Sequence, residues 1–238
     1  MAIARGNSIG VRLGVWVVLA VSCGLACAGE DGSKVPAPAS AQGWRQSVGD
    51  FAREQFMNPA WGASHSARIY SLARDLAAQD KVQLDDDVLF AAAHLHDIAA
   101  FPPWYDANRD HSDVGADLME SILKGTGFPM EKLGAVRGAV RTHMYYRDPV
   151  GPEATYLHDA DTLDWLGAVG AARMLALIDP KGGKPDGQAA IKMIEDNLQK
   201  VPGRTFSPAA KAREVERRDQ LARFLKALSE QSGEFKEL

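Results

Sequence analysis

Six histidines, His65, His94, His96, His111, His143 and His158, fall within one stretch of the 238-residue chain, and none lies outside it. Carboxylates are interleaved with them at Asp97, Asp159 and Asp161. The two cysteines, Cys23 and Cys27, both lie close to the N-terminus. A metal held by the body of this chain must therefore take nitrogen and oxygen donors, which suit a hard or borderline divalent ion. A disulfide framework is excluded for the same reason. The sharpest local feature is the adjacent pair His96-Asp97. Neighbours on a helix differ by about 100°, so both side chains can reach one ion from a helix end. His94 lies about 200° round the helix from His96 and reads as a core or supporting residue.

These residues need elements that converge, and the apolar spacing from residue 43 onward is helical almost throughout. It predicts helices over 44–56, 63–79, 85–98, 111–124, 130–145, 153–177, 187–199 and 207–231. In the third, Val88, Leu89, Ala92, Ala93 and His96 recur at helical spacing, behind Asp85, Asp86 and Asp87 in the first turn, where the helix dipole favours acids. No segment alternates with period two, so the expected fold is an all-α bundle without a sheet. The last helix is amphipathic, with Leu221, Phe224, Leu225 and Leu228 set among charges, and is expected to pack on the domain. Two aromatic loops, Phe101 to Tyr105 and Tyr145 to Pro149, follow histidines and read either as a substrate rim or as cover for the core.

The N-terminus has a separate logic. Arg5 and Arg12 precede an apolar run from Leu13 to Leu25, which ends at Ala26-Cys27-Ala28. At about 13 residues the run is short for a spanning helix, which wants roughly 20. It matches a cleavable signal peptide over residues 1–28, so export to the periplasm or beyond is expected. Lipid anchoring is the secondary reading, because Ala20 and Gly24 stand where a lipobox wants a Leu-like residue. Residues 29–42, rich in Gly, Ser, Pro and Ala, read as a flexible leader, and residues 43–238 as the domain. No transmembrane helix is expected in the mature protein. Removing Arg5 and Arg12 from 27 basic residues leaves 25 against 31 acidic ones, a net charge of −6. That offers no basic field for nucleic acid.

The motifs follow one another in a recognisable order. His65-Ser66-Ala67-Arg68 comes first, then Ala93-His94-Leu95-His96-Asp97-Ile98, then Thr142-His143, then HDADTLDWLGAVG from His158 to Gly170. The series resembles the HD-domain superfamily. The last segment is similar to that of bacterial HD phosphohydrolases with D-A-D-x-L-D/E-x-L-G-A-x-G. The resemblance spans residues 60–177, followed by the C-terminal helices 187–231.

The resemblance implies an HD-type helical bundle in which His65, His96, Asp97 and Asp161 hold one divalent ion (Mn, Mg, Fe, Co or Zn). Asp159 is the alternative to Asp161. His111 and His143 resemble the extra histidines of HD enzymes with two metals, while His158 reads as supporting or incidental. Asp97 would align a water or accept its proton. Arg68 and Arg147 are the candidates for holding a substrate phosphate. Arg109 and Arg173 lie nearby, and each arginine taken singly also reads as a solvated side chain. Asp164 and Trp165, inside the motif, are explained as well by packing and capping as by contact with substrate.

The implied activity is hydrolysis of a phosphate ester or anhydride on a small substrate, with nucleotides the first class to consider. A di-iron HD oxygenase is a second reading, since His65, His96, Asp97, His111, His143 and Asp161 would satisfy its ligand set. A non-catalytic exported binding protein is a third. Oligomeric state is not legible in the sequence.

Overall fold

A helix that is apolar on nearly every side must be surrounded, and α3, Asp86–Leu95, is such a helix. Val88, Leu89, Ala91, Ala92, Ala93 and Leu95 are all buried. Its start is fixed by Asp85, whose carboxylate accepts from the N–H groups of Asp87 and Val88 at 3.0 and 3.3 Å, as a good N-cap does. Packed around it are α1 (Trp44–Gln55), α2 (Ala63–Gln79), α5 (Leu133–Arg141) and α6 (Pro152–Asp164). Helix α4 (His111–Leu123) lies against α5. The approach of α4 is close: a Cβ on Gly115 would sit 3.3 Å from both the His96 carbonyl oxygen and Val140 Cγ1.

The structure is a computed structural model and describes residues 43–237, so the expected signal peptide and leader lie outside the described residues. Among the described residues there are nine α-helices, two short 3-10 turns and no strand, so the all-α expectation holds. No helix among them is long and apolar enough to cross a membrane.

Helices α7 (Gly167–Leu175), α8 (Gly187–Lys200) and α9 (Pro208–Gln231) form a second cluster around Leu166, Met174, Ile194 and Leu221. Helix α9 packs along α7 and α6 and buries Ala210, Leu221 and Leu225, as its amphipathic pattern predicts. The stretch expected as one helix over 153–177 is two. Helix α6 ends at Asp164, and Gly167 takes a positive φ of 68° that a side chain would resist. The corner is tight as well as sharp, because a Cβ on Gly170 would fall 2.2 Å from the Trp165 carbonyl oxygen. Gly170→Ala is therefore expected to lower stability by about 1–3 kcal/mol through overpacking. A thermal melt matching the unsubstituted chain would show that the corner yields freely.

Other ends shift for simpler reasons. The helix expected over 130–145 is a 3-10 turn at Met130–Lys132 followed by α5, which leaves His143 just past the helix end. The Phe101 to Tyr105 loop is cover for the core rather than a rim. Phe101 stacks on Phe56 at 4.8 Å, and Trp104 meets Phe51 edge-on at 5.5 Å.

Candidate metal centre

Five elements bring their ends or faces to one point. His65 sits in the first turn of α2 and is 1% exposed. Helix α3 stops at Leu95, and the chain then tightens into a 3-10 turn at Ile98–Ala100. This carries His96 and Asp97 into the same cleft. His111 opens α4 behind the N-cap Asp110, which accepts from the Ser112 N–H at 2.8 Å. His143 follows α5, and Asp161 lies inside α6.

Two sets of donors result, with Asp97 between them. His65 Nε2 lies 3.2 Å from His96 Nε2, 3.2 Å from Asp161 Oδ1 and 3.6 Å from Asp97 Oδ2. His96 Nε2 is 3.2 Å from the same Asp97 oxygen. The other oxygen, Asp97 Oδ1, is 3.5 Å from both His111 Nε2 and His143 Nε2, which are 3.2 Å apart. His65, His96 and Asp97 form one group able to hold an ion, and Asp97, His111 and His143 form another. Asp161 joins the first group through His65.

The backbone decides which way the imidazoles point. His96 Nδ1 donates to the Ala93 carbonyl at 2.9 Å, and His143 Nδ1 donates to the Val140 carbonyl at 2.7 Å. A carbonyl only accepts, so each Nδ1 carries a hydrogen and each neutral ring turns an Nε2 lone pair toward the cluster. His65 is oriented by a carboxylate instead: its Nδ1 meets Asp164 Oδ2 at 2.8 Å. The same oxygen accepts from Arg68 Nη2 at 2.9 Å and lies 3.2 Å from Arg173 Nη1. Asp164 thus orients His65 and anchors two arginines, a role that packing and capping did not foresee. Burial alone would push its carboxyl up, but His65, Arg68 and Arg173 hold it far below the usual carboxylate range.

The electrostatics of these side chains follow from crowding. Burial raises the Asp97 carboxyl, yet the facing His96, His111 and His143 outweigh it and keep Asp97 ionised. Burial opposes charge on His96, but Asp97 and Asp161 push its pKa up to about 9. His143 is lowered by burial, while His111 is raised because Asp97 outweighs its partial burial. At neutral pH a proton therefore occupies His96 where an ion would bind, and binding must release it. Metal affinity is expected to strengthen as pH rises from about 6.5 toward 9, by about tenfold per unit for one displaced proton. Metal titrations at several pH values check this, and a flat profile would contradict it.

The remaining candidates fall elsewhere. Asp159 accepts the backbone N–H groups of Phe206 and Ser207 at 2.8 Å each, so it pins the start of α9, and Asp161 is the carboxylate at the cluster. His158 packs edge-on against Phe206, and His94 Nδ1 donates to the Phe90 carbonyl at 2.9 Å. Arg109 pairs with Asp117 at the surface. Arg173, which read as solvated, is instead 3% exposed and lies over the Trp165 ring at 4.4 Å. Arg68 sits on the Nδ1 side of His65, and Arg147 is paired with Asp110 and Asp113 at 3.0 and 2.9 Å. Neither lines the opening at the cluster. That cavity, about 180 Å³, is walled by Trp61, Asp97, Ala100, His111, Met144 and Trp165.

Known proteins share this arrangement of helices. A predicted HD superfamily hydrolase from an uncultured Thermotogales bacterium has 24% identity and a TM-score of 0.55, over 79% of this chain and 90% of that one. Bacillus subtilis YpgQ in complex with ADP has 20% identity and a TM-score of 0.59, over 79% and 97%. An HD-superfamily hydrolase from Bacillus thuringiensis has 21% identity and a TM-score of 0.52, over 79% and 96%. No curated protein sequence matches the chain. At these identities the likenesses speak for the fold. The HD domain as a family matches residues 62–166, the segment that supplies every residue of the cluster. That segment of the chain carries an HD domain.

Proposed function

We propose that the chain is a metal-dependent phosphohydrolase of the HD type, acting on a small phosphate ester or anhydride. The observation that carries this reading is the convergence of imidazole Nε2 atoms and carboxylate oxygens on the two sides of Asp97. Two buried imidazoles facing each other nitrogen to nitrogen at 3.2 Å repel unless a proton or a cation lies between them. The donor set is all nitrogen and oxygen, and it fits Mn, Fe, Co, Zn or Mg. His65, His96, Asp161 and Asp97 Oδ2 would hold one divalent ion, and His111, His143 and Asp97 Oδ1 a second.

Such ions supply Lewis acidity toward a phosphoryl oxygen and toward water. The chain's own residues supply position. Asp97, ionised and facing both donor sets, aligns the attacking water or takes its proton. Trp61 and Trp165 flank the cavity and offer flat apolar faces on which a base can stack. This agrees with a nucleotide substrate, as does the ADP complex of YpgQ. Arg147 holds the start of α4 through Asp110 and Asp113, and so positions His111.

A screen of phosphate release from nucleotides and phosphomonoesters tests the reading. Chelation is expected to reduce release to background, and one added divalent metal to restore it. Release that survives chelation would remove the metal from the mechanism. The same six side chains also meet the ligand set of a di-iron HD oxygenase. Two bound irons, a visible absorption band and no phosphate release would select that reading.

A further inference from the structure

We propose that the groove between α2 and α9 binds a phosphate group, on Arg68 and Arg217, separately from the metal centre. The groove has a volume of about 690 Å³ and is lined by Ser64, Arg68, Ser71, Asp75, Asp164 and Arg217, among others. None of its lining residues borders the cavity at the metal cluster. It reaches Asp164 from the Nδ1 side of His65, whereas the cluster gathers at Nε2.

The charge count around Asp164 points to an anion. Arg68 and Arg173 already pair with this one carboxylate, at 2.9 and 3.2 Å. Arg217 is a third guanidinium beside it. Arg217 is half-buried and donates to the Leu163 carbonyl at 2.7 Å, but it pairs with no carboxylate among the described residues. Burial lowers its pKa, as expected of a cation short of negative partners. The other acid in the groove, Asp75, is already taken by Arg213 at 2.7 Å and Gln79 at 3.1 Å.

The backbone of the site is fixed. The first turn of α7 backs Arg217, since a Cβ on Gly167 would lie 3.3 Å from Arg217 Cγ. Val169 from the same turn lines the groove. Two guanidinium groups on separate helices, one in no ion pair among the described residues, suit the oxygens of a phosphate through charge-assisted hydrogen bonds. The phosphate is either the free ion or the end of a small phosphomonoester.

Calorimetric titration of the full chain, stripped of metal, with inorganic phosphate and with glycerol phosphate tests the site. One phosphate per chain is expected. Arg217→Gln and Arg68→Gln should each weaken it about tenfold or more. Arg217→Lys should keep much of the binding, which separates lost charge from lost fold. His96→Ala should leave it unchanged. Stronger binding of glycerol phosphate than of the free ion would identify the ligand as a phosphomonoester, and the reverse as inorganic phosphate. No binding of either probe, binding indifferent to Arg217→Gln, or binding lost in His96→Ala would overturn the proposal. Because metal and turnover play no part in this readout, its failure is distinct from failure of the hydrolase reading.

Discussion

Asp97→Asn is expected to empty both donor sets and to cut phosphate release by about a thousandfold or more. Lewis-acid stabilisation is worth several kcal/mol, and each 1.36 kcal/mol is tenfold in rate. The substitution keeps the size of the side chain and removes its charge. That charge faces four imidazoles, through Oδ2 on one side and Oδ1 on the other. His96, His111 and His143 hold the Asp97 carboxyl well below its ordinary value, so the neutral amide gives up part of that folded-state stabilisation as well as the ligand the two ions would share. His143→Ala, by contrast, touches one side only and should spare the set around His65. Elemental analysis paired with phosphate release separates the two variants. An Asp97→Asn protein with unchanged metal content and turnover would mean that the carboxylate bridges nothing.

Asp164→Ala is expected to cost about 3–5 kcal/mol of stability, the usual effect of leaving a buried charge without its partner. Arg173, 3% exposed, would keep its charge over Trp165 and lose the carboxylate that balances it. His65 would lose the acceptor that fixes its ring. The milder Asp164→Asn keeps an oxygen for one donor, and should fold while weakening metal binding by about 10–100-fold. Thermal melts and metal titrations of the pair read the two effects separately. Equal metal affinity in Asp164→Asn and the unsubstituted chain would show that His65 needs no such support.

The histidines and the helices that carry them were readable because both depend on short spacing. The helices expected over 63–79 and 111–124 appear at Ala63–Gln79 and His111–Leu123, since their apolar stripes are unbroken and Asp110 caps the second. Asp161 could be told from Asp159 only through the family resemblance. The structure adds the physical reason: two residues apart on α6, the side chains point to different sides, one to His65 and the other to the start of α9. What escaped the sequence is contact at long range. Asp164 meets His65 across 99 positions, so nothing local marks it as more than a polar residue in a helical motif. Arg173 read as solvated because charge usually means surface; only packing against Ala60 and Trp165 buries it. The break after Asp164 was hidden because apolar spacing continues across it, and it depends on the positive φ of Gly167.

Elemental analysis of the full chain, purified without chelators and dialysed against a divalent metal, tests the central claim most directly. Two ions per chain are expected, one for each histidine group that shares Asp97, and both should disappear in Asp97→Asn. A chain that retains no divalent metal at neutral pH would contradict the account at its root.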